Sequence, residues 1–107
     1  MPEPSSVRVV LHPKARAELN SVARYYRQTA GRDVADRFLA ELWRCANWLL
    51  RYPEAATSVG EEGVRRKLLQ DGFPYSLYYV VLPGQIRIVQ IANQSQDQKD
   101  LSDRLHQ

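Results

Sequence analysis

The sequence predicts a two-layer α+β domain in which a helical hairpin packs on a mainly antiparallel four-stranded sheet. Three observations carry this. Two adjacent segments place apolar residues at helical spacing and are joined by a very short link. Three apolar or aromatic runs follow, separated by turn signals. One β-branched run precedes them all. The predicted order is therefore β-α-α-β-β-β. At 107 residues the chain can bury one core and not two. The division expected is a disordered leader over residues 1–6, a single domain over 7–92 and a polar tail over 93–107.

The first run, VRVVL at residues 7–11, is β-branched and bounded by polar and proline residues, so it reads as a strand. Pro13 then suits the first position of a helix, where its missing N–H costs nothing. Ala15, Leu19, Val22 and Tyr26 follow on one helical face, and Arg16, Asn20, Arg24 and Arg27 lie on the other. Gly31 ends this helix, because it can take the left-handed conformation after the last turn. A second helix is expected from Asp33, whose carboxylate can cap the first turn. Its stripe is Ala35, Phe38, Leu42, Cys45, Ala46 and Leu49, widened by Leu39, Trp43 and Trp48, and Pro53 stops it. So short a link between the helices implies an antiparallel hairpin.

Residues 54–63 read as a loop of small and acidic residues. VRRKLL at 64–69, YSLYYVVL at 75–82 and QIRIVQIA at 85–92 read as strands, with turns at QDGFP and at Pro83-Gly84. The second of these is apolar or aromatic on both faces, which marks a central strand. The short turns imply a three-stranded antiparallel meander. In the tail, Leu101 and Leu105 are one helical turn apart, but the composition suits disorder equally well.

Charge and composition narrow the function. The net charge is +3, too small to decide a partner by itself, but it is unevenly spread. Basic residues dominate 1–32 and 65–91, while the acids concentrate between 33 and 62. Such a distribution can form a cationic face for nucleic acid or an acidic protein, or simply a mixed solvated surface. No apolar run is long enough to cross a bilayer, and the start lacks the pattern of a signal peptide. The single cysteine, Cys45, excludes an intrachain disulfide. The expected location is cytoplasmic, with no membrane partner.

Four features in order carry a family resemblance. They are Tyr25-Tyr26 near the end of the first helix, Leu50 and Pro53 closing the second, the arginines before Phe73-Pro74-Tyr75, and the aromatic strand that follows. Over roughly residues 7–97 the chain resembles the ParE branch of the RelE/ParE toxin superfamily, the toxin half of bacterial type II toxin–antitoxin modules. The resemblance implies a toxin that binds and poisons DNA gyrase and is neutralised by a cognate antitoxin, ParD-like or RelB-like, with no sequence-specific DNA binding by this chain alone. The RelE branch implies the alternative, cleavage of mRNA on the ribosome. The sequence departs from the family in one place. Asn93 stands where members carry a His, Ser95 and Gln96 where they carry Arg, and Gln98 where they carry Pro. That departure raises a third reading, a member that folds and binds an antitoxin but has lost toxicity.

Cleavage of RNA needs a base, an acid and several cations around the phosphate. Arg66, Lys67 and Arg87 are the candidate cations and Tyr75 the candidate tyrosine, which would serve as a base only with its pKa lowered from about 10. No strong general base is visible, and no Cys/His cluster has metal-ligand spacing, so no metal or cofactor is expected. Binding is therefore favoured over catalysis. Its candidate contacts to target or antitoxin are Arg65, Arg66, Lys67, Arg87, Tyr25, Trp43 and Asn93. For any one arginine the plainer reading is a solvated strand end, worth about 0–1 kcal/mol. Trp43 and Trp48 read most simply as core or hairpin packing, Tyr25 and Tyr26 as half-buried, and Cys45 as an inert core thiol. In a strand, alternation puts Arg65 and Lys67 on one face and Arg66 on the other.

Overall fold

The structure is a computed structural model and describes residues 7–60 and 62–94. β1 (Arg8–Leu11) leads into α1 (Pro13–Thr29) and α2 (Arg32–Arg51). β2 (Thr57–Ser58), β3 (Arg65–Leu68), β4 (Tyr75–Leu82) and β5 (Gln85–Asn93) complete the order. The sheet has five strands, not four, arranged β1-β5-β4-β3-β2. The extra strand is the short β2, which pairs antiparallel with β3 inside the segment expected to be a loop. The meander β3-β4-β5 is antiparallel, and β1 joins it parallel to β5. β4 is central, as its two apolar faces predict. The expected leader and almost all of the expected tail lie outside the described residues, and Asn93 closes β5 instead of opening the tail.

Local chemistry sets the helix ends. Pro13 sits in the first turn of α1, and His12 caps it, its Nδ1 accepting the Lys14 N–H at 3.1 Å. Gly31 has φ +96° and both closes α1 and caps α2. Its N–H donates to Tyr26 O at 3.0 Å, and its own carbonyl accepts from Ala35. Because Gly31 takes that role, α2 starts at Arg32 and Asp33 lies in the first turn without capping it. There its charge still suits the positive end of the helix.

One face of the sheet lies under both helices. Ala15, Leu19 and Ala23 of α1 and Phe38, Leu42, Cys45 and Leu49 of α2 pack on Leu77, Tyr79, Ile86, Ile88 and Ile91. Tyr26, Phe38, Phe73 and Tyr75 form an aromatic cluster with ring centroids 5.4–6.3 Å apart. The Tyr79 hydroxyl donates to Pro53 O at 2.8 Å, tying the end of α2 to the central strand.

A bulge sets which residues of β5 face inward. Tyr78 pairs with Gln90 and Tyr79 with Ile88, so Val89 is the extra residue. Strict alternation after Ile86 and Ile88 would turn Gln90 into the core. The extra residue resets the phase and buries Ile91 instead. Beside the bulge the Ile91 N–H donates to Glu18 Oε1 at 2.8 Å, which fixes α1 to β5.

Candidate functional site

Register decides where the basic cluster points, since directly opposed residues share a face. Arg65 pairs with Tyr79 and Lys67 with Leu77, both in the core. Arg65 and Lys67 therefore lie on the helix side. Arg66 pairs with Tyr78 and with Thr57, and Arg87 with Val80 and Val10. None of these partners belongs to the core, so Arg66 and Arg87 lie on the opposite, open face.

The two helix-side cations already have structural partners. Arg65 Nη1 donates to Glu54 O at 2.9 Å and to Ala56 O at 2.8 Å, holding the segment between α2 and β2. Lys67 Nζ lies 4.5 Å from the Trp48 ring centroid, a cation–π contact. On the open face, Arg87 Nε donates to Gln85 Oε1 at 3.3 Å, and neither Arg66 nor Arg87 forms an ion pair among the described residues. The two sit on strands separated by β4, about 10 Å apart across the sheet, with Tyr78 and Val80 between them. The open face thus offers two cations beside an aromatic ring, while the other two candidates serve the fold.

The remaining candidates scatter. Tyr25 is 55% exposed on α1 and touches the Tyr26 ring edge-on at 5.5 Å, more open than the half-buried position expected. Trp43 is 43% exposed on α2, so of the two tryptophans only Trp48 packs against the core. The structure brings Tyr75 and Asn93 together as opposed residues. They line an open cleft of about 330 Å³ with Glu18, Val22 and Gln90. Ser95, Gln96 and Gln98, which carry most of the departure from the family pattern, lie outside the described residues.

The geometry gives no tyrosine base. Burial pushes the Tyr79 phenol up although Arg65 opposes it, and burial raises Tyr26 as well. Both move away from the deprotonated form that a base requires. Among the described residues no group of His, Cys, Asp or Glu could hold a metal ion, and no helix is long and apolar enough to cross a membrane.

One cluster was not legible beforehand. Glu41 is buried in α2, and its carboxylate takes Arg44 Nε at 2.7 Å and Nη2 at 2.8 Å. It also accepts the Gln70 N–H at 2.7 Å and the Cys45 thiol at 3.4 Å. The Arg44 bond and the Gln70 and Cys45 bonds, against the opposing effect of burial, hold this carboxyl down at about 2. Burial, then the Glu41 charge, pushes the Cys45 thiol up to about 11, so Cys45 is the inert thiol expected. The only hint in the sequence was an acid at position 41, beside the apolar stripe of α2. The cluster clasps α2 to the turn after β3 and has no open side for a ligand.

The family model for the ParE toxin of the type II toxin–antitoxin system parDE matches residues 9–98. The chain belongs to the ParE toxin family. The ParE fold is matched by a solved chain described as the chromosomal ParDE TA system from P. aeruginosa, with a TM-score of 0.71. At 21% identity, over 83% of this chain and 97% of that one, the likeness concerns the fold alone. No curated protein matches the sequence.

Proposed function

We propose that this ParE-family chain acts by binding, with DNA gyrase as its target, and that a cognate ParD-like antitoxin holds it silent. The observation that supports binding over cleavage is the division of the basic cluster across the sheet. Arg65 and Lys67 face the helices and hold carbonyls and an indole, which leaves Arg66 and Arg87 on the open face. Two cations spaced about 10 Å apart beside an aromatic ring suit an extended acidic surface. They do not surround a single phosphate with the base and acid that cleavage requires.

The test is pulse-labelling of DNA and protein synthesis after inducing the chain alone in a bacterial host, with a supercoiling assay on purified gyrase beside it. An early stop in DNA synthesis with inhibited supercoiling is expected. An early stop in protein synthesis with new ends in ribosome-bound message would overturn the reading in favour of RNA cleavage. A folded chain with neither effect would favour the toxin-fold member that has lost toxicity. Asn93, where family members carry a His, is the residue that motivates that second reading.

A further inference from the structure

We infer that residues 95–107 of this chain fold back onto the open face of its own sheet and mask Arg66 and Arg87. The argument begins with the face. Val10, Leu68, Tyr78, Val80 and Leu82 alternate out of phase with the core and lie on the side away from both helices. Leu68 is 47% exposed. A half-apolar sheet face without a second layer is unfavourable in water, and it needs an occupant.

The shape and position of the face favour this chain's own terminus. Ser76 and Ala92 are register partners, and Leu68 lies beside Ser76 on the next strand. Two small side chains next to a leucine leave a shallow trough at one end of the face. Ser76 at its floor is fully buried, and its Oγ has no hydrogen-bond partner. The chain leaves the sheet at that same end. The Gln94 N–H donates to Pro74 O at 2.8 Å and its side-chain amide to Tyr75 O at 3.0 Å, so residue 95 starts beside the trough.

Length and pattern agree with that placement. As a helix, residues 95–107 would span about 20 Å, and the eight-residue β4 runs about 27 Å. The segment can therefore reach from the trough past Arg66 toward Arg87. Asp97, Leu101 and Leu105 recur at i, i+4 and i+8, one stripe of a helix, with Asp100 at its margin. The leucines match the apolar strip between the two arginines, and the aspartates match the arginines. An acidic partner that uses this face must then displace the segment, so its apparent affinity is reduced by the fraction of time the face is covered.

The experiment is paramagnetic relaxation in the full-length chain. A spin label on Ser102→Cys is read on backbone amides, with Cys45 left in place because its buried thiol does not label. Amides of β4 and β5 around Tyr78, Val80 and Arg87 are expected to lose intensity while those of α1 and α2 keep theirs. Adding Leu101→Asp and Leu105→Asp is expected to restore the lost intensity. Uniform intensity in the single variant, loss confined to the helices, or loss that persists with both leucines replaced would overturn the inference. So would equal loss when labelled chain is mixed with unlabelled isotope-enriched chain, since that identifies a second copy as the occupant.

Discussion

Lys67 Nζ lies 4.5 Å from the Trp48 ring centroid, so the third cation of the basic run is held against α2. Its neighbour Arg66 points through the opposite face of the same strand. This places two adjacent basic residues in different roles. Lys67→Ala is expected to lower stability by about 0.5–2 kcal/mol through loss of the cation–π contact. Arg66→Ala is expected to stay within about 0.5 kcal/mol of wild type. Urea unfolding of both variants checks this, and equal losses would show that the two side chains are not divided as described.

The Glu41 clasp makes stability depend on acid. Its carboxyl sits at about 2 in the folded chain, below its ordinary value of 4.5, chiefly because of Arg44. A folded pKa below the unfolded one stabilises above the unfolded value, and that stability is lost as pH falls through the window from about 4.5 to about 2. Arg44 is half exposed, so solvent screening reduces the effect to about 1–2 kcal/mol. Glu41→Gln is expected to be less stable at pH 7 and to have a flatter urea midpoint across that acid window. A wild-type profile with the same slope as the variant would exclude Glu41 as the source.

Glu18 supports the bulge that buries Ile91. Removing its carboxylate leaves a backbone N–H without its acceptor, which costs about 1–3 kcal/mol. Glu18→Ala is expected to show that loss, and Glu18→Gln, which keeps an acceptor oxygen, to recover most of it. Amide exchange at Ile91 gives a local readout. It should speed up in Glu18→Ala before global stability is exhausted.

How much of this was legible in the sequence depends on how a residue's role is encoded. The two helices and β4 announce themselves by period, because apolar residues recur every three to four positions in one case and fill both faces in the other. β2 is Thr57–Ser58, too short to carry any period, and it exists only through its backbone pairing with β3. Alternation separated Arg66 from Arg65 and Lys67. It did not say which side faced the core, because β3 carries cations on both faces and the choice is made by Leu77 and Tyr79 on the next strand. Asp33 had the chemistry of a cap, but the positive φ of Gly31 let α2 begin sooner. The Glu41 clasp joins residues that are 29 positions apart, a distance no local pattern spans.

Cys45 offers a probe of global opening. With its thiol buried and pushed up to about 11, it presents almost no thiolate at neutral pH. Labelling by a thiol reagent at pH 8 is expected to be slow in native conditions and to track urea unfolding. Fast labelling of folded chain would mean that α2 lifts locally from the sheet.

The last prediction separates binding from folding on the open face. Arg66 and Arg87 make no ion pair among the described residues, so reversing their charge removes no pairing there. Rim charges act mainly on association rate and salt dependence, and two reversals against an acidic partner are expected to weaken binding by about tenfold or more. Arg66→Glu with Arg87→Glu should therefore lose affinity for gyrase or for the antitoxin in a binding titration while its thermal midpoint stays near wild type. The matched control is Arg65→Ala, which should do the reverse. It frees the Glu54 and Ala56 carbonyls and costs stability of about 1.5–3 kcal/mol, yet leaves the open face intact. Unchanged affinity in the double reversal would remove the open face from the binding surface and move attention to the exposed Tyr25 and Trp43 on the helices.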